Sequence, residues 1–244
     1  MKLVIITGGS RGIGRQTAIT FAKAGYAVAV NYNNSEKEAK QLCEEIKKSG
    51  GNAVPFKADI SEEKQVKEMF SAIYEHFHKG ADILINNAGI AISGLFTDID
   101  TSTFKHMFDV NVFGTILCCK EALPYMISNK KGCIINTSSI WGIAGASCEV
   151  HYSASKAAII GLTKALAKEV GLSGITVNCI APGVIMTDMN KNLKASDIDV
   201  LKDETPLNSI GETADIAELA LFLASQKAKF ITGQVISPNG GLVI

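Results

Sequence analysis

An excess of charge of either sign, paired cysteines, metal-ligand spacing, internal repeats and long apolar runs are all missing from this 244-residue chain. Each absence removes a class of function. Lysine plus arginine and aspartate plus glutamate balance at 24 each, so neither a nucleic-acid surface nor a polybasic membrane patch is expected. The six cysteines, at positions 43, 118, 119, 133, 148 and 179, form no C-x-x-C pair, and two of them are adjacent. That pattern is not a disulfide framework, and it points to reduced thiols in a cytoplasmic protein. His76 and His78 have no matching carboxylate or cysteine cluster; they read as a surface feature at a helix end, and no metal site is expected. The opening run Met1–Ile6 is too short for the core of a signal peptide, and no apolar run approaches transmembrane length. With 47% hydrophobic residues, 20% charged and no linker, the chain reads as one globular domain over residues 1–244.

What is present is an alternation of short apolar runs with amphipathic stretches. Strands are expected at 3–6, 26–31, 53–57, 82–85, 133–137, 175–180 and 234–236, with helices between them, including helices at 35–48 and 61–77 capped by Ser35 and Ser61. Regular alternation implies right-handed βαβ units, hence an α/β fold: a doubly wound, Rossmann-like, seven-stranded parallel sheet with helices on both faces. Thr101 to Asn129 reads as one long helix bent at Gly114 and Pro124, with Asn111 among apolar neighbours. The polar, weakly patterned segment 188–208 lies past the sixth strand and is expected to act as a substrate lid.

The first strand stops at T-G-G-S-R-G-I-G, residues Thr7 to Gly14, and a helix follows. Gly8, Gly9, Ser10, Gly12, Ile13 and Gly14 thus form a turn that lets backbone approach a pyrophosphate at a helix N-terminus, although the spacing is G-x-x-x-G-x-G rather than G-x-G-x-x-G. An NAD-selective site usually carries Asp or Glu at the end of the second strand; this chain has Asn31-Tyr32-Asn33 there. Arg11 in the glycine loop offers a guanidinium to a 2′-phosphate, so NADPH/NADP+ is the expected cofactor. Asp59, followed by Ile60 just past the third strand, is placed to accept from an adenine amino group or to cap the next helix.

The chemistry is expected between Ser139 and Lys156. Tyr152 and Lys156 are four apart and share a helix face, where an ammonium lowers a phenol's pKa and makes it a proton donor. Ser139, at the end of a buried strand, is placed to meet that phenol.

Assembled in order, T-G-G-S-R-G-I-G, N-N-A-G (86–89), Asn111, Ser139, Y-S-A-S-K (152–156) and P-G-V-I-M-T (182–187) resemble the short-chain dehydrogenase/reductase family over essentially the whole chain. The resemblance implies Tyr152 as general acid, Lys156 on the ribose hydroxyls, Ser139 polarising a carbonyl and Asn111 holding a proton-relay water. It also implies Asn87, Ala88, Gly89, Pro182, Gly183, Ile185 and Thr187 along the cofactor, and a homotetramer. Within the family the chain looks most like 3-oxoacyl-acyl-carrier-protein reductases, which take their ketone on acyl carrier protein. Glu149-Val150-His151, Ser173 and the 206–211 segment depart from that pattern. The stretch containing Trp141 and Cys148-Glu149 is similar to the reductases of a 5-aminopentanone group on a lysine of elongation factor P, where Glu149 would meet the substrate's ammonium. A non-catalytic NADP-binding regulator on the same fold is the third reading; the intact Asn-Ser-Tyr-Lys set speaks against it.

Overall fold

The computed structural model of the protein describes residues 1–187 and 195–244. Its strands are short and almost continuously apolar, as they must be when both sheet faces are covered by helices. They are β1 (Leu3–Ile6), β2 (Ala27–Tyr32), β3 (Asn52–Lys57), β4 (Ile83–Asn86), β5 (Gly132–Thr137), β6 (Ile175–Ile180) and β7 (Val235–Ile236). All neighbours pair in parallel, in the order β3-β2-β1-β4-β5-β6-β7. Alternation along β1 sends Val4 and Ile6 into one apolar layer and Leu3 and Ile5 into the other. The first layer is closed by α1 (Gly12–Lys23), α2 (Glu36–Lys48) and α9 (Thr213–Leu223), the second by α3 (Glu63–Phe77), α5 (Gly114–Ser128) and α7 (Val150–Val170). The remaining helices are α4 (Thr101–Phe108), the short α6 (Trp141–Ala144) and α8 (Ala195–Glu204). Chain order reverses between β1 and β4, and that switch point opens a crevice at the strands' carboxyl ends.

Two expectations are corrected. The long helix over Thr101–Asn129 is divided: α4 gives way to a π turn, Asp109–Phe113, before α5 begins. The π turn is held from outside, because Asn111 is hydrogen-bonded to Ile90 and Ser155, and Gly114 is packed so closely that a Cβ there would lie 2.7 Å from Ile60 Cδ1. Pro124 sits inside α5 without ending it. Ser35 stands at the N-cap of α2 without a side-chain capping hydrogen bond, whereas Ser61 is not a cap: it donates its hydroxyl to the Asp59 carboxylate at 2.6 Å, and α3 starts two residues later with Glu62 at its N-cap. Within the expected lid 188–208, residues 195–204 form α8 and Leu207 N donates to Gly240 O at 3.1 Å, tying this part to the C-terminal turn. Residues 188–194 of that expected lid lie outside the described residues.

By length and hydropathy alone the helical run Thr101–Ser128 would suffice to cross a bilayer, contrary to the expectation that no run is long enough. Here it is a core element: Met107, Cys118, Cys119, Ala122 and Met126 are buried, and α5 packs on α3, β4 and β5.

Candidate active site

The glycine loop is shaped by its neighbours. Gly8 adopts φ +60°, and a Cβ on it would lie 2.8 Å from the Cα of Ala88. A Cβ on Gly14 would strike the carbonyl oxygen of Gly8 and come within 2.6 Å of Asn87 Nδ2. These approaches are closed by hydrogen bonds. Thr7 Oγ1 accepts from Asn87 N at 3.0 Å and Ala88 N at 3.1 Å, while Asn87 Nδ2 donates to the carbonyls of Thr7 at 3.0 Å and Gly8 at 3.1 Å. On the other side Asn31, 2% exposed, accepts from Gly8 N at 3.2 Å and donates to Ala58 O at 3.1 Å. One amide thus joins the loops after β1 and β3.

These loops frame a cavity of about 880 Å3 along the carboxyl ends of the sheet. From β3 to β5 is four inter-strand steps, roughly 19 Å at ~4.8 Å per step. Of the expected cofactor residues, Gly8, Ser10, Arg11, Gly12, Ile13, Asn33, Asp59, Ile60, Asn87, Ala88, Gly89, Pro182, Gly183, Ile185 and Thr187 all line it. Gly9 and Gly14 stand behind the wall, Gly9 N donating to Asn31 O at 2.9 Å. Asp59 is the sole carboxylate among the described lining residues. Burial raises its pKa, but hydrogen bonds from Ser61 and Asn33 outweigh this and bring it below the ordinary carboxylate value.

At the β5 end Ser139, Tyr152 and Lys156 line the same cavity. Ser138 Oγ donates to Lys156 O at 2.8 Å, and Asn136 Nδ2 to Thr163 Oγ1 at 2.9 Å, so the carboxyl end of β5 fixes the height and rotation of α7. Lys156, 4% exposed, donates to Thr137 O at 3.0 Å, with Nζ 5.6 Å from the centre of the Tyr152 ring. Burial lowers its pKa to about 8. The expectation that this lysine depresses the phenol is not met: burial pushes Tyr152 up to about 12, a hydrogen bond from Ser139 opposes that, and the Glu149 charge adds to it. Desolvation wins because the ammonium lies over the ring, engaged with a backbone carbonyl, rather than at the hydroxyl.

Asn111, 1% exposed, does not line the cavity. Its Oδ1 accepts from Ile90 N at 2.8 Å, and its Nδ2 donates to Ile90 O at 2.9 Å and Ser155 Oγ at 3.0 Å. The side chain clamps the loop after β4 to α7 directly beneath the tyrosine. Glu149 and Trp141 are likewise off the wall; Glu149 Oε1 accepts from Ser93 Oγ at 3.1 Å, and Trp141 N donates to Ser139 Oγ at 3.2 Å. His151, beside Tyr152, is buried and stacks on Phe96 with centroids 5.1 Å apart, pinning the 90–100 loop to α7.

Sequence reasoning did not single out Thr7, Ser138 or the lining residues Ile90, His106 and Val110. Thr7 opens the glycine-rich motif and Ser138 sits one step from Ser139, which was the available signal; His106 and Val110 reach the cavity only through the packing of α4 and the π turn.

The residues present fit a nicotinamide dinucleotide. Backbone cradles at Gly8 and Gly12 leave no room for a side chain or need positive φ, the N-terminus of α1 opens onto the slot, and a buried lysine waits at one end with two unassigned donors.

The model of a family described as enoyl-(acyl carrier protein) reductase matches residues 8–243. The chain is similar to the 3-oxoacyl-[acyl-carrier-protein] reductase FabG of Staphylococcus epidermidis, 41% identical over 241 residues, which is 99% of this chain and 98% of that protein. It is 38% identical over 241 residues to the uncharacterized oxidoreductase YmfI of Bacillus subtilis, covering 98% of each. To a 3-oxoacyl-[acyl-carrier-protein] reductase of Synechocystis it is 37% identical over 244 residues, 100% of this chain and 97% of the other.

Proposed function

This chain belongs to the short-chain dehydrogenase/reductase family and is an oxidoreductase acting on a ketone or alcohol group; we propose that it reduces the ketone of a 3-oxoacyl thioester carried on acyl carrier protein, using NADPH. The observation that carries the reading is the meeting of Ser139, Tyr152 and Lys156 at one end of a slot shaped for a dinucleotide. The full-length relatives that are 3-oxoacyl-[acyl-carrier-protein] reductases by name supply the acyl-carrier reading. For NADPH, the support is Arg11 on the wall and the absence of any carboxylate at the end of β2.

A nicotinamide cofactor held in this slot would supply the hydride for the carbonyl carbon. Tyr152, with its pKa near 12, keeps its proton at neutral pH and delivers it as charge grows on the carbonyl oxygen. Ser139 donates to that same oxygen and stabilises the developing alkoxide. Lys156 holds the ribose hydroxyls with the donors that Thr137 leaves over. Asn111 acts through position, holding Ile90 and Ser155 so that the loop after β4 and the start of α7 keep their spacing; a proton-relay water at this asparagine belongs to the same proposal. The protein works as a cytoplasmic homotetramer, with the exposed small residues Ala154, Ala157 and Gly161 of α7 available for close contact between copies. Segment 188–208 is the substrate lid of this reading.

One observation favours a second substrate, an amino-ketone such as the 5-aminopentanone group on a lysine of elongation factor P. Glu149 lies close enough to Tyr152 for its charge to act on the phenol, and among the described residues its side chain accepts only from the Ser93 hydroxyl, which leaves an oxygen to meet an ammonium.

The test is NADPH oxidation with an acetoacetyl thioester against an amino-ketone on a peptide lysine. Preference for the thioester, unchanged in Glu149→Gln, is the expected result. Turnover of the amino-ketone alone, lost in Glu149→Gln, transfers the assignment to the second reading. Arg11→Ala should erode the preference for NADPH over NADH; an unchanged preference removes Arg11 from the cofactor assignment.

A further inference from the structure

The end of the slot remote from Tyr152 carries an aromatic ring that nothing in the fold uses. His106 lies in the last turn of α4, is exposed, and lines the cavity. Its ring has no hydrogen bond and no aromatic neighbour among the described residues, and it lies close enough to Asp59 to help hold that carboxyl below its ordinary pKa. Val110 follows four residues later, one turn along the same face, and lines the cavity too. Ile60, at the β3 end, lines the cavity as well and packs closely on Gly114, the next position of the same helical row. Two aliphatic walls, a bare imidazole face and a carboxylate acceptor make a compartment for a flat heterocycle with an amino edge.

We propose that His106 is the stacking wall for the purine base of the dinucleotide, in the part of the cavity lined by Asp59, Ile60 and Val110. This rests on the cofactor reading above, but not on the choice between NADPH and NADH, since both carry the base. A base laid on the imidazole covers a ring face that otherwise meets solvent, and stacking of this kind is tolerant of ring identity.

The test is equilibrium binding, followed by cofactor fluorescence, of NADPH and of reduced nicotinamide mononucleotide, which lacks the base. His106→Ala should weaken NADPH about tenfold, the scale of one base–aromatic stack, and leave the mononucleotide unchanged. His106→Phe should return NADPH affinity to within about twofold of the parent, because a phenyl face stacks as well as an imidazole. Equal weakening of both ligands in His106→Ala, no weakening at all, or failure of His106→Phe to restore NADPH would each overturn the proposal. Failure of the unaltered protein to bind NADPH would instead overturn the cofactor reading on which it stands.

Discussion

Replacing Asn31 by alanine separates a structural amide from a neighbouring one that serves only the cavity. Asn31 is 2% exposed and links Gly8 N at 3.2 Å to Ala58 O at 3.1 Å, with a further, longer reach to Phe56 O at 3.5 Å. Alanine removes both the acceptor and the donor, leaving a backbone N–H and a backbone carbonyl without partners at the root of the glycine loop. Each such group costs about 1–3 kcal/mol when left buried and unpaired, so the expected loss is about 2–6 kcal/mol. That is a large share of the ~5–15 kcal/mol that holds a typical domain together. Asn33, two residues on, is exposed and donates only to Asp59 at 2.9 Å. Asn33→Ala should therefore change stability by less than about 0.5 kcal/mol. Urea unfolding of the two variants and the parent, followed by circular dichroism, measures the contrast directly. If Asn31→Ala lies within 0.5 kcal/mol of the parent, the amide does not join these loops in the way its distances indicate.

Three other outcomes follow from the same geometry. The folded Lys156 titrates near 8 and the unfolded lysine near 10.5, so between these values the unfolded chain holds the extra proton and stability rises with pH; below about 8 the buried charge costs on the order of 3 kcal/mol. Lys156→Met should accordingly be more stable than the parent at pH 7, with the gap narrowing to about 1 kcal/mol at pH 9.5 and closing above about pH 10.5 in urea titrations, and a gap independent of pH would contradict it. Gly14→Ala drives a methyl into the Gly8 carbonyl and the Asn87 amide; overpacking of this kind costs about 1–3 kcal/mol, and the NADPH Kd measured by titration should rise as the loop shifts. Ser139→Ala should lower turnover about 10²–10³-fold while leaving the NADPH Kd unchanged, as expected for a donor that acts on the developing alkoxide.

The strands were legible because a parallel sheet covered on both faces demands short apolar runs, and β1, β4, β5 and β6 are such runs. The break in the long helix was not, since apolar spacing runs through Thr101–Asn129 undisturbed; what forces the π turn is Asn111 reaching Ile90 and Ser155, contacts 21 and 44 residues away in the chain. Spacing placed Tyr152 and Lys156 on one face of α7, as found, but could not supply the direction of the phenol's shift. That depends on Thr137 capturing the ammonium and on how much water burial removes. Asn31 drew notice only as a missing carboxylate, because a polar residue in a strand does not reveal which two loops its amide will join. His106 was silent for a related reason: only the packing of α4 on α7 and on the π turn brings it to the slot.

Proton delivery by Tyr152 is the step on which the assignment depends most, and single-turnover reduction by Tyr152→Phe tests it. With NADPH prebound and a 3-oxoacyl thioester added in a stopped flow, the account predicts an unchanged NADPH Kd and a rate of ketone reduction lower by about 10²–10⁴-fold. A Tyr152→Phe protein that reduces the ketone at near the parent rate would contradict it.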